Sequence, residues 1–167
     1  MQRFLSDMID VNMAFKAAFS VVLVLAAWSD MRRFRIPNVY PAIIAALFVA
    51  AWFSGFAFAA PLWSHGAHFA IALVAGMMLF RFGWFGGGDA KLYAAMALWF
   101  ALGQAWLLLL VTTLVGALIV VVRMLWHIAR TWFGSGEASR TRLFDRKIAY
   151  GLAIAAGGIA AIFRVYP

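Results

Sequence analysis

The stretch Ile36–Phe80 reads IPNVYPAIIAALFVAAWFSGFAFAAPLWSHGAHFAIALVAGMMLF, 45 residues without a Lys, Arg, Asp or Glu. A transmembrane helix takes about 20 apolar residues, so the stretch holds two helices and a turn. Pro61, Ser64 and Gly66 supply the turn chemistry. The expected spans are Val39–Ala57 and Ala67–Phe82. Whole-chain composition agrees. Of the 167 residues, 66% are hydrophobic and 12% charged, whereas a soluble domain carries about 45–50% apolar and about 25% charged residues.

Toward the N-terminus, a first span is expected over Ala14–Ser29, with Lys16 extending its ammonium group to the interface. Arg3 precedes the apolar run Ala17–Trp28, but Asp7 and Asp10 lie between them, and Arg32, Arg33 and Arg35 follow the run. A secretory signal carries its positive charge before the apolar stretch, not after it, so this segment reads as a retained span.

Toward the C-terminus, Leu92–Val122 is 31 residues without formal charge, long for one span and short for two. Gly103-Gln104 offers a turn in its middle. Charge distribution decides. With two spans here, 11 of the 14 Lys and Arg residues fall on one side of the membrane, the bias that orients helical membrane proteins with positive loops in the cytoplasm. The spans are then Ala90–Leu102, Ala105–Met124 and, last, Ile148–Phe163. The reading is an all-α polytopic membrane protein with six transmembrane helices in a single domain, residues 1–167. Both termini lie outside, and a polar loop at about 130–147, with a flexible Gly134-Ser135-Gly136 core, lies in the cytoplasm.

Several function classes fall away. The absence of cysteine excludes a disulfide framework and a thiolate metal site. The net charge of +8 is explained by the positive-inside bias, so no nucleic-acid partner is expected. His65 and His68 stand three apart with no third ligand on their side, since His127 falls at the other face, so neither metal nor cofactor is expected. The 16 Phe and 8 Trp suit contact with membrane lipids and interfacial anchoring.

Six acidic residues remain. Asp7 and Asp10 lie in the N-terminal tail; Glu137 and Asp145 lie in or near the polar loop. Asp30 and Asp89 instead sit at the cytoplasmic ends of apolar stretches, each followed two residues later by a base, Arg32 and Lys91. A carboxylate at the membrane boundary is costly unless paired or hydrated, and marks a candidate functional site. Two arrangements are open: two interfacial ion pairs, Asp30 with Arg32 or Arg33 and Asp89 with Lys91, or one shared site. Asp89 follows Gly86, Gly87 and Gly88, which permit φ > 0 and close approach of another chain to the backbone. After Asp30, Pro37 and Asn38 open the next helix, with Pro37 suited to its first turn.

Gly86-Gly87-Gly88-Asp89 with Lys91 resembles the G-x-G-D signature of the prepilin and preflagellin peptidases. Asp30 with Arg32, Arg33, Arg35 and Ile36-Pro37-Asn38 resembles their first aspartate motif. Tyr150-Gly151-Leu152-Ala153-Ile154-Ala155 is similar to a segment of their final helix, with Ala149 in place of the usual proline. The resemblance runs from about Asp30 to Gly157. It implies a G-x-G-D intramembrane aspartyl protease-like fold and Asp30 and Asp89 as the catalytic pair. The implied activity removes a short basic leader from a prepilin or pseudopilin precursor on the cytoplasmic side of the inner membrane. The small size and lack of cysteine resemble the short peptidases of tight-adherence (Flp) pilus systems, without the methyltransferase activity of larger relatives. Gly86, Gly87, Gly88, Lys91, Pro37 and Asn38 are the candidates for shaping the site or binding substrate. The competing class is a non-enzymatic transporter or assembly subunit in which the two aspartates bind protons or ions.

The topology is testable because the chain has no native cysteine. A Ser135→Cys variant should resist a membrane-impermeant thiol reagent applied from outside. Labelling from that side overturns the six-span arrangement.

Overall fold

A computed structural model of the chain describes residues 2–133 and 150–166. Those residues form no strand. Helix α1 spans Gln2–Arg33, α2 Val39–Phe53, α3 Leu62–Arg81, α4 Gly87–Ala97, α5 Ala105–Phe133 and α6 Tyr150–Val165, with a 3-10 turn at Leu102–Gln104 ahead of α5. Three segments are long and apolar enough to cross a membrane, namely Ile9–Arg33, Leu62–Arg81 and Leu102–Ala129. Helices α2 and α6 are shorter apolar helices. Helix α4 has 11 residues, a length of about 16 Å at ~1.5 Å per residue. The polar loop expected at about 130–147 falls mostly on residues 134–149, outside the described residues.

Local chemistry sets the helix ends. Gly83 at φ 75° stops α3: its amide donates to Phe80 O at 2.9 Å and the Trp84 amide to Leu79 O at 3.0 Å. This is the left-handed C-terminal cap that glycine adopts without a Cβ penalty. Helix α1 stops differently. Phe34, an aromatic residue, takes φ 49° and donates its amide to Asp30 O at 2.8 Å. A left-handed conformation costs a bulky residue about 1–3 kcal/mol and is held only where surrounding structure demands it. Pro37 precedes the N-cap Asn38 instead of entering the helix, and Pro41 occupies the first turn of α2.

The expected fourth span, Ala90–Leu102, is corrected. Helix α4 begins at Gly87 and ends at Ala97, and the chain from Leu98 to Gln104 is irregular. Its backbone groups find partners elsewhere. His65 Nδ1 lies 2.8 Å from Leu98 O and His68 Nδ1 2.9 Å from Phe100 O. The Tyr166 hydroxyl donates to Trp99 O at 2.8 Å, and Ser64 Oγ accepts from the Leu102 amide at 3.0 Å. Non-helical backbone is tolerated at membrane depth only when buried in protein with its polar groups satisfied. The two histidines are therefore buried caps for this segment.

Trp99 from the same segment is fully buried and donates its indole N–H to Ile44 O at 3.1 Å. Phe19, Phe48, Phe56, Phe58 and Tyr166 surround it, with ring centroids 4.7 to 6.3 Å apart in the contacting pairs Phe19–Trp99, Phe56–Phe58, Phe56–Trp99, Phe58–Trp99 and Phe15–Phe56. This aromatic core fills one end of the bundle. Lys16 belongs to it: the side chain is 3% exposed, donates to Tyr166 O at 2.9 Å and lies 5.4 Å from the Phe163 ring. The expectation that Lys16 reaches the interface is corrected, because an unpaired carbonyl at the end of α6 captures it first.

Helices α5 and α6 run antiparallel, pairing Thr112 with Gly157 and Gly116 with Ala153. A Cβ on Gly157 would stand 2.7 Å from Thr112 Cα, so the two backbones touch; one on Gly116 would meet Ala153 Cβ at an ordinary 3.6 Å. Small residues permit this approach in a membrane bundle. Gly157→Ala should therefore destabilise the detergent-solubilised protein by about 1–3 kcal/mol, while Gly116→Ala leaves it near wild type. Thermal unfolding of the two variants side by side checks this; equal midpoints refute the backbone contact.

Candidate active site

The end of the bundle opposite the aromatic core gathers both aspartates. Asp30 lies in the last turn of α1 and Asp89 in the first turn of α4. Asp30 is 6% exposed and Asp89 half-buried. The charge of Asp30 is felt at Asp89. Ile36, itself buried, sits between their supports: a Cβ on Gly88 would meet Ile36 Cβ at 3.1 Å and Ile36 O at 3.2 Å, and a Cβ on Gly151 would meet Ile36 Cδ1 at 3.1 Å. The sharp stop at Phe34 turns the chain so that Ile36 reaches this position.

Each carboxylate has a distinct environment. Asp30 Oδ2 accepts a buried hydrogen bond from the Gly151 amide at 2.9 Å, which ties the end of α1 to the start of α6. Asp89 Oδ1 is buried without a hydrogen-bond partner. The other oxygen of Asp89 faces Gly86 closely enough that a Cβ there would strike it. An unpartnered buried carboxylate oxygen in a native site calls for an explanation such as a catalytic role or a bound molecule.

The bases that follow the aspartates in sequence do not pair with them. Lys91 Nζ donates to Asn38 Oδ1 at 3.2 Å, joining α4 to the start of α2. The Arg32 guanidinium lies 4.4 Å from the centroid of the Trp28 ring. The arrangement of two separate interfacial ion pairs is thus absent among the described residues.

The structure gathers Asp30, Asp89, Gly86, Gly87, Gly88, Lys91 and Asn38 at one end, with Pro37 exposed in the loop between Ile36 and Asn38. None of the three glycines has positive φ. They serve close packing, and part of the room they leave is taken by the chain itself. A Cβ on Gly87 would meet the Phe80 ring at 3.2 Å and Gly88 faces Ile36, while Gly86 is exposed beside Asp89. Gly151 and Ile36 were not singled out as site residues by the sequence. Gly151 had a signal in the Tyr150-Gly151 segment of the last helix; Ile36 is an ordinary apolar residue until the fold wedges it between two glycines.

An apolar cavity of about 670 Å³ lies between α3 and α5. It reaches the aspartate end at Phe85 and Tyr150, whose rings meet edge to face 6.1 Å apart.

No curated protein and no solved structure matches the chain. The model of the type IV leader peptidase family matches residues 17–121, a stretch that includes Asp30, the glycines and Asp89 and stops short of α6. That match covers more than half of the sequence, and the chain belongs to the type IV leader peptidase family.

Proposed function

We propose that the chain is a membrane-embedded aspartyl endopeptidase that removes the short basic leader from a type IV prepilin or pseudopilin of the Flp class. The observation that carries this reading is the convergence of Asp30 and Asp89 at one end of the bundle, with neither carboxylate paired to a cation among the described residues. Family membership supports the peptidase chemistry. Two carboxylates in one site do not readily both ionise and tend to share a proton. The ionised member takes a proton from water, and the protonated member polarises the scissile carbonyl.

The reaction takes place at the cytoplasmic face of the inner membrane. The six-span reading, which puts 11 of the 14 basic residues on the aspartate side, supports that orientation, with both termini outside. The cavity between α3 and α5 supports the same reading, because it gives the apolar part of a membrane-borne precursor a route to the residues flanking the carboxylates. Gly86, open beside Asp89, is where an extended substrate backbone comes closest. Peptidase activity proceeds without methylation of the mature pilin.

Asp30→Asn and Asp89→Asn should each lower precursor cleavage by about 10²–10⁴-fold or more, with membrane insertion retained because a neutral amide is cheaper to desolvate than a carboxylate. The double variant should be no worse than either single one. Asp145→Asn is the control and should cleave normally. The ratio of precursor to mature pilin, at matched enzyme amounts, is the measurement. Near-wild-type cleavage by either membrane-edge variant sinks the two-aspartate mechanism, and unchanged processing without the chain favours a transporter or assembly subunit.

Incubation of purified protein with precursor and a methyl donor should yield mature pilin without a methylated N-terminus. Activity should also survive strong chelators. A methylated product or chelator-sensitive cleavage refutes the corresponding part of the assignment.

A further inference from the structure

We infer that Gly151 is a positioning residue for cleavage: its backbone N–H holds Asp30 as the ionised member of the pair, so that Asp89 carries the shared proton. The inference rests on the peptidase reading and adds to it a division of roles. Two observations lead to it. The Gly151 amide donates to Asp30 Oδ2 at 2.9 Å. A hydrogen bond to the charged form of a carboxylate favours that form. Asp89 also meets a backbone donor, that of Gly86, but its oxygen Oδ1 is buried and no donor among the described residues reaches it. A protonated carboxyl suits that position, because burying a neutral group costs far less than burying an unsatisfied charge.

Among the described residues, the remaining charges near Asp30 do not compete for it. On α4, Lys91 is bonded to Asn38. On α1, Arg32 lies over Trp28, and Arg33 is exposed. The loop into α2 presents Ile36, with Arg35 exposed, and the one charged residue of α6, Arg164, is in its last turn at the far end. Position 151 also admits no side chain: a Cβ would stand 2.8 Å from Asp30 Oδ2 and 3.0 Å from Asp30 Cβ.

The division of roles closes a complete cycle. Asp30 takes a proton from water as the water oxygen bonds the scissile carbonyl carbon, and the Asp89 proton passes to the carbonyl oxygen, giving a neutral gem-diol. The proton on Asp30 then goes to the amide nitrogen as the C–N bond breaks. One gem-diol hydroxyl returns its proton to Asp89, leaving a carboxylic acid, an amine and the starting protonation state.

The pH profile of kcat/KM tests the assignment, its acidic limb reporting the base and its basic limb the acid. Gly151→Ala should lower kcat by about 10–100-fold with KM little changed, and should move the acidic limb up by about one pH unit while the basic limb stays. Should this variant fail to fold, replacement of Gly151 by glycolate, which swaps the amide for an ester and adds no side chain, should give the same shift. Movement of the basic limb instead, or an unchanged profile with the N–H removed, overturns the inference. A readout independent of cleavage comes from NMR. Gly88-Asp89 is the single Gly-Asp dipeptide in the chain, so paired isotope labelling selects the Asp89 carboxyl carbon. Asp89 should ionise in the later of the pair's two steps. If it ionises first, the roles are reversed even in a protein that cleaves; if the wild-type chain cleaves no precursor, it is the peptidase reading that fails.

Discussion

A backbone polar group buried away from water must find a partner, and in lipid no water is at hand to supply one. Much of this bundle's design follows from meeting that demand where helices break. Between Leu98 and Gln104 the α-helical ladder is lost, and side chains from one other helix and the end of another replace it: His65, His68 and Ser64 from α3, and Tyr166 beyond α6. Each satisfied group avoids a penalty of about 1–3 kcal/mol. The cost of breaking α4 is thereby converted into links that hold α3, α4 and the end of α6 together. Trp99, carried on the broken segment, then forms the centre of the aromatic core.

The same demand shapes the opposite end. Asp30 places a carboxylate at 6% exposure, and the Gly151 amide meets one of its oxygens. Because that amide comes from α6, the carboxylate is fixed only when α1 and α6 are packed. Phe34 holds a left-handed conformation that glycine would take more readily, and in doing so directs Ile36 against Gly88 and Gly151. One tight turn thus sets the spacing between the loop after Asp30 and the start of the helix that bears Asp89. A rigid constellation of this kind is what acid–base chemistry requires, since small errors of placement cost large factors in rate.

The two ends divide the labour of the molecule. The aromatic end is built of buried rings, with even Lys16 turned inward to the Tyr166 carbonyl. The aspartate end keeps an exposed Gly86, a half-buried Asp89 and the mouth of an apolar cavity. The buried rings are concentrated where no chemistry is proposed, and the exposed groups where it is.

By itself the sequence determined that the chain is helical and apolar, where most of its helices lie, and which two carboxylates border long apolar stretches. These features rest on local quantities: the length of uncharged runs, the placement of basic residues, and glycines next to Asp89. Only tertiary structure decided which groups those carboxylates meet. The Asp30–Gly151 bond spans 121 residues, and the Lys91–Asn38 bond that diverts the base from Asp89 spans 53. Neither pairing has a local signature, because a backbone amide is present at almost every position and nothing near Lys91 in the sequence points to Asn38. The break in α4 was hidden for the same reason. Residues 98–104 are as apolar as a span, and it is the distant histidines and tyrosine, brought close by folding, that make an unwound backbone cheaper there than another turn of helix.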